Sequence, residues 1–202
     1  MKITAIKQQV KQQGRYSIFV EGKYAFSLSE SALLESKIVL GQELTPQQVK
    51  EYKKLSGDDK LYNLALRYAV MRPRSTWEME QYLQRKKADP LLSQSILNKL
   101  IKLDLLDDEA FARSWIANRR LLKPVSRRRL LQELRAKRVP DEVAEAALGE
   151  DVTAEGDVLR ELVAKKRKQS KYQDATKLMQ FLARQGFNYD DIKAALTEEE
   201  QL

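Results

Sequence analysis

The sequence predicts a mainly α protein, built as three tandem three-helix repeats in an extended curved array and preceded by a small β-strand-containing N-terminal extension. Three observations lead there. The segment before residue 57 alternates polar and apolar residues with period two. Everything beyond it places apolar residues at helical spacing. That helical part also repeats itself at offsets near fifty residues, a length typical of helical arrays.

In the N-terminal segment, "ITAIKQQV" and "RYSIFVEGKYAFSLS" are rich in β-branched and aromatic residues, as half-buried strands are. Glu21-Gly22 offers a tight turn between "YSIFV" and "KYAFS", so two or three antiparallel strands are expected. A short helix follows from Ser29 to about Ser36, and "LGQEL" turns the chain. Thr45-Pro46-Gln47-Gln48 has the form of a capping box with proline at the first helical position.

The repeats are visible by superposition. "ARSWIANRR" sits over "LRELVAKKR", "LQELRAKRVPDEVAEAAL" over "MQFLARQGFNYDDIKAAL", and "RPRSTWEMEQYL" over "KPVSRRRLLQEL". The alignment makes Ser75, Ser126 and Asp174 equivalent N-caps, all residues whose side-chain oxygen accepts free N–H groups of a first turn. The expected divisions are 1–56, 57–106, 107–150 and 151–202. Core faces follow from the periodicity. Repeat one contributes Leu61, Leu64, Ala65 and Tyr68, then Met79, Tyr82 and Leu83, then Ile96, Leu100 and Leu103. Repeat two contributes Phe111, Trp115 and Ile116, then Leu130, Leu131 and Leu134, then Val143, Ala147 and Leu148. Repeat three contributes Val158, Leu159, Leu162 and Val163, then Leu178, Phe181 and Leu182, then Ile192, Ala195 and Leu196.

Composition narrows the function. The chain has 202 residues, no cysteine and no histidine. That removes disulfides, thiolate chemistry, Cys- or His-ligated zinc and the Ser-His-Asp triad. No apolar run is long enough for a bilayer span, and "MKITAIKQQV" lacks a signal-peptide core. A cytoplasmic protein with no membrane contact, acting as a monomer, is expected. Lys and Arg number 37 against 29 Asp and Glu, a net charge of +8, which points to an anionic partner.

The bases recur where the first helix of each repeat meets the second. Repeat one has Arg67, Arg72 and Arg74. Repeat two has Arg119, Arg120, Lys123, Arg127, Arg128 and Arg129. Repeat three has Lys165, Lys166, Arg167, Lys168 and Lys171. Between Ala112 and Val139 one acid, Glu133, stands among ten bases. A charge run is usually a solvated face, but Arg127–Arg129 fill the first turn of a helix, where the dipole disfavours cations by a few tenths of a kcal/mol each. Repeat one has Ser75-Thr76-Trp77-Glu78 at that place, which reads as a capping box. A helix N-terminus with arginine donors suits phosphate or carboxylate.

Candidates for chemistry are few. Asp107-Asp108-Glu109 could suggest a divalent metal, but a helix cap with acids suiting the dipole is the better reading. No glycine-rich phosphate loop exists. No cofactor is expected and no catalytic constellation is present.

"RPRS" after "ALRYAVM", "LLDDEAFA" and "FLARQGFNYDDIKAAL", in this order and with the threefold repeat, resemble the RecX family, bacterial regulators of the RecA recombinase. The resemblance covers roughly 61–196, and the N-terminal strands look like an extension found in some members. It implies a non-enzymatic protein that docks on RecA nucleoprotein filaments and modulates recombination and DNA repair, with direct DNA binding in some members. The contacts, with DNA phosphates or acidic recombinase residues, are expected at Arg72, Arg74, Arg119, Arg120, Lys123, Arg127, Arg128, Arg129, Lys165, Lys166 and Arg167. A general nucleic-acid-binding module acting without RecA is the alternative. The sequence departs from the family at Lys137-Arg138-Val139, where glycine is usual in the second position. A differently shaped turn is therefore expected there.

Overall fold

The computed structural model describes residues 1–200. They form two compact units, one of Met1–Arg72 with Gln81–Leu100, the other of Pro73–Glu80 with the chain from Ile101 onward.

The first unit opens with an antiparallel sheet in the order β1 (Ile3–Gln8), β2 (Arg15–Val20), β3 (Lys23–Ser29). Glu21 and Gly22 both take positive φ, 49° and 74°, as a tight two-residue hairpin turn requires. Ile3, Ile18, Val20, Phe26 and Leu28 fill one side together with Ile38 and Leu44. Helix α1 (Glu30–Ser36) is capped by Ser29. Helix α2 (Pro46–Val70) starts with both limbs of the capping box, Thr45 accepting from the Gln48 N–H and Gln48 accepting from the Thr45 N–H. It runs unbroken through position 56, where the sequence suggests a division.

A buried carboxylate joins α2 to the sheet. Asp59 accepts from Arg15 Nη1 (2.8 Å), the Ser29 N–H (2.9 Å), Ser29 Oγ (2.5 Å) and Asn63 Nδ2 (2.9 Å). Arg15 also donates to Ser27 Oγ, Ser27 O and Ser56 O, so both charges are surrounded by partners.

Helices α3 (Thr76–Arg85) and α4 (Pro90–Lys102) complete repeat one, and the first turn of α3 groups with the second unit. That unit holds α5 (Asp108–Leu122), α6 (Arg127–Ala136) and α7 (Asp141–Glu150). It continues with α8 (Glu155–Arg167), a 3-10 turn (Ser170–Tyr172), α9 (Ala175–Arg184) and α10 (Tyr189–Glu200). Each of these two repeats closes around its own core, Phe111, Ile116, Leu130, Leu134 and Leu148 in one, Leu162, Leu178, Leu182, Phe187 and Ile192 in the other. Leu103 is not in a core. It is 55% exposed, and Leu97 and Leu106 are buried instead, because α4 ends at Lys102 and the helical period no longer applies beyond it.

The turn after the second helix is alike in all three repeats. Lys87, Arg138 and Gly186 take φ of 56°, 56° and 92°. The next N–H reaches back to close the helix, Ala88 to Leu83 O (3.1 Å), Val139 to Leu134 O (3.2 Å) and Phe187 to Leu182 O (3.4 Å). This is the Schellman closure. The expected different shape at Arg138 does not occur, because the hydrogen bonds and burial of Val139 outweigh the left-handed cost. That cost, about 1 kcal/mol for a residue with a Cβ, remains in the folded state. Arg138→Gly is expected to raise stability by up to about 1 kcal/mol, read as a higher urea midpoint with unchanged slope.

Candidate interaction surface

The arginine-rich start of α6 is stabilised by two groups. Buried Ser126 accepts from the Arg129 N–H (3.1 Å), and Glu155 Oε1, from the first position of α8, accepts from the Arg127 N–H (3.1 Å). The same device appears one repeat earlier. Ser75 Oγ accepts from the Glu78 N–H (3.2 Å), and Asp108 Oδ1, from the first position of α5, accepts from the Thr76 N–H (2.8 Å). The second helices of repeats one and two therefore each borrow a carboxylate from the next repeat, which favours the positive dipole end. Asp107 caps α5 itself through the N–H groups of Glu109 and Ala110. Asp107 and Asp108 thus serve two different helix starts. Among the described residues, no group of three acids could hold a metal ion.

The candidate bases divide into bracing and free groups. Arg120 is 11% exposed at its side chain. It donates to Asp151 Oδ2 (2.9 Å) and to Val125 O (2.7 Å), holding the end of α7 to the α5–α6 join. Arg167 does the same in repeat three, donating to Glu199 Oε2 (2.8 Å) and Gln173 O (2.8 Å). Their inward commitment takes both off the expected contact surface. The signal for it was in register, an acid at the matching place in both repeats, while repeat one has Ala69 and Leu100 there.

Arg119 donates to Glu133 Oε2 (2.7 Å) and lies over the Trp115 ring (5.2 Å), whose Nε1 donates to the same carboxylate oxygen (3.0 Å). Glu78 and Lys137 extend this network, with Lys137 Nζ 2.6 Å from Glu78 Oε1 and 5.3 Å from the Trp115 ring. Lys166 is the repeat-three counterpart of Arg119, lying over Phe181 (4.9 Å) and Tyr172 (5.4 Å). Arg129 is 3.6 Å from Glu133. Arg72 is exposed and belongs to the first unit, and Arg74 is half-buried in the second.

Lys123, Arg127, Arg128 and Lys165 remain. Their side chains are exposed, and none has an ion-pair or hydrogen-bond partner among the described residues. The first three surround the α5–α6 join, where Leu121 and Leu122 are 80% and 67% exposed. A surface cavity of about 340 Å³ opens beside them, lined by Trp115, Asn118, Arg119, Leu122 and Lys123. Lys165 stands apart. Glu155 brings the start of α8 to the Arg127 backbone, whereas Lys165 lies some ten residues further along that helix, about 15 Å at its rise per residue. Beside these bases the exposed leucines add an apolar centre that helical spacing alone does not single out.

Asp151 and Asp141 titrate below the ordinary carboxyl range. Burial alone would raise Asp151, but hydrogen bonds from Thr153 and Arg120 and the guanidinium charge outweigh it and hold the acid low. Asp141 is lowered mainly by its hydrogen bond from Arg135 at the surface. A carboxyl depressed on folding adds stability above its unfolded value, near 3.8, and that contribution is lost as pH falls through the folded value. Stability set by these groups is expected to be level from pH 7 to about 5 and to fall below about pH 4. Urea midpoints should show this, with a smaller acid loss in Asp151→Asn.

Comparison with known proteins fits this architecture. Four family models match: the regulatory protein RecX N-terminal domain over residues 1–45, and the first, second and third RecX three-helix domains over 62–100, 107–148 and 154–196. The regulatory protein RecX of Bacillus subtilis (strain 168) is 31% identical over 201 residues, covering 97% of this chain and 76% of that one. The Lactobacillus johnsonii protein of the same name is 36% identical over 148 residues, 73% of this chain, and the match spans only 54% of the relative. A crystal structure of regulatory protein RecX superimposes with TM-score 0.73 at 27% identity, covering 96% of this chain and 98% of that one. RecX from Lactobacillus salivarius gives 0.59 at 26%, covering 72% and 97%. Among the described residues no helix is long and apolar enough to cross a membrane. With all four family domains matched in order and a relative 31% identical over 97% of this chain, the chain belongs to the RecX family of regulatory proteins.

Proposed function

We propose that this protein binds RecA nucleoprotein filaments and restrains recombinase activity in DNA repair and recombination, acting in the cytoplasm by occupancy and without catalysis. The observation that carries this reading is the α5–α6 join. There Lys123, Arg127 and Arg128 are exposed and unpaired among the described residues, beside the exposed Leu121 and Leu122. Bases around an apolar centre suit a protein face with acidic residues around an apolar contact, because rim charges steer and buried apolar groups hold. Bare phosphate binding would need no exposed leucines. The four segments 1–56, 57–106, 107–150 and 151–202 are proposed as the working modules of this contact.

The test is RecA ATPase and strand exchange on single-stranded DNA with stoichiometric or lower amounts of the protein. Both activities are expected to fall. Unchanged activities would rule the reading out.

A further inference from the structure

The first unit carries a second basic surface, separate from the α5–α6 join. A cleft of about 460 Å³ lies between the β1–β2 hairpin and α2. Its lining includes Lys11, Arg15, Lys60, Asn63 and Arg67, and no carboxylate. Lys60, Asn63 and Arg67 fall at i, i+3 and i+7, one stripe of a helix. Arg15 and Asn63 are engaged with Asp59. Lys11, Lys60 and Arg67 are exposed and have no acid partner among the described residues. A concave wall with one sign of charge concentrates anions.

The adjoining sheet face supplies what a simple anion would not need. Arg15, Ser17 and Phe19 alternate along β2 on the side opposite to buried Ile18 and Val20. Four residues of strand put Phe19 about 13 Å from Arg15. Lys7 pairs across from Ser17, and its Nζ sits 5.6 Å from the Phe19 ring. Tyr24, opposite Phe19, meets that ring edge-on at 6.1 Å and is 59% exposed. Cations along a groove, followed by an exposed aromatic ring on a sheet, are the parts with which proteins hold unpaired bases and their phosphates.

We propose that the N-terminal unit binds a single nucleic-acid strand, with phosphates in the cleft at Lys11, Lys60 and Arg67 and a base stacked on Tyr24. A duplex would offer the phosphates but keep its bases stacked on each other. An acidic peptide would leave Tyr24 without a matching group.

The test is fluorescence anisotropy of a labelled oligothymidylate with the full chain and no recombinase, across a range of salt. Lys11→Ala/Lys60→Ala/Arg67→Ala is expected to weaken binding about tenfold or more and to reduce the salt slope by about 2, roughly 0.7 per lost contact. Tyr24→Ala is expected to weaken it about tenfold, and Tyr24→Phe to restore it. The single strand should bind more tightly than a duplex of equal length. Parent-like affinity and slope in the triple variant would overturn the proposal, as would equal duplex binding with no effect of Tyr24→Ala. Neither outcome bears on the α5–α6 join, whose variants are read on filaments.

Discussion

Asp59→Ala is expected to destabilise the protein by about 3–5 kcal/mol, the range seen when one member of a buried ion pair is removed. Three donors lose this acceptor at once, Arg15 Nη1, the Ser29 N–H and Ser29 Oγ, and Asn63 Nδ2 keeps only the Asp59 backbone oxygen. The Arg15 guanidinium, 11% exposed, would keep its charge without its carboxylate. Replacing both partners with apolar residues, Arg15→Met/Asp59→Leu, is expected to cost less than Asp59→Ala alone, because no buried charge is left over. Denaturant unfolding of the three variants measures the difference. A loss under about 1 kcal/mol in Asp59→Ala would mean that α2 is held to the sheet by apolar packing and not by this hub.

Gly186→Ala is expected to cost about 2–4 kcal/mol, combining the left-handed backbone with overpacking. At φ +92° an added Cβ would overlap Ser126 Oγ and come within 3.0 Å of Arg129 Cβ and 3.2 Å of the Arg129 nitrogen. The crowding arises because the N-cap of α6 docks on this turn, with the Ser126 N–H donating to Gln185 O (3.2 Å). One repeat earlier the contact uses a side chain instead, Ser75 Oγ donating to Lys137 O (3.0 Å). That turn accommodates Arg138 at the glycine position. Gly186→Ala and Ser126→Ala should combine to less than their sum, since the second removes part of the clash created by the first. Full additivity would place the cost of Gly186→Ala in its own backbone alone.

These two sites show where sequence reading succeeds and where it stops. Local signals were legible: the Glu21-Gly22 turn, the Thr45–Gln48 capping box, and the caps at Ser75, Ser126 and Asp174. They depend on neighbours in the chain. The equivalence of the repeats was legible too, because apolar spacing and caps recur together. Partnerships across long sequence distance were not. Arg120 meets Asp151 and Arg15 meets Asp59 only once the elements pack, so from the sequence a bracing arginine such as Arg120 reads as a contact arginine. At Arg138 residue preference argues against a left-handed turn, and the hydrogen bonds that close the turn override it. The three arginines of α6 were readable as unfavourable, but not the Glu155 carboxylate that offsets them. Of these three, Arg127 and Arg128 keep exposed, unpaired side chains among the described residues, while Arg129 approaches Glu133.

The most direct test of the account is filament binding by Lys123→Ala/Arg127→Ala/Arg128→Ala. Arg113→Ala serves as control, since that exposed arginine of the same repeat lies 3.7 Å from Glu109. Binding to RecA filaments on single-stranded DNA is expected to weaken at least about tenfold in the triple variant and to stay unchanged in the control, with unfolding midpoints close to the parent in both. A triple variant that binds filaments like the parent would contradict the assignment of the α5–α6 join as the contact surface.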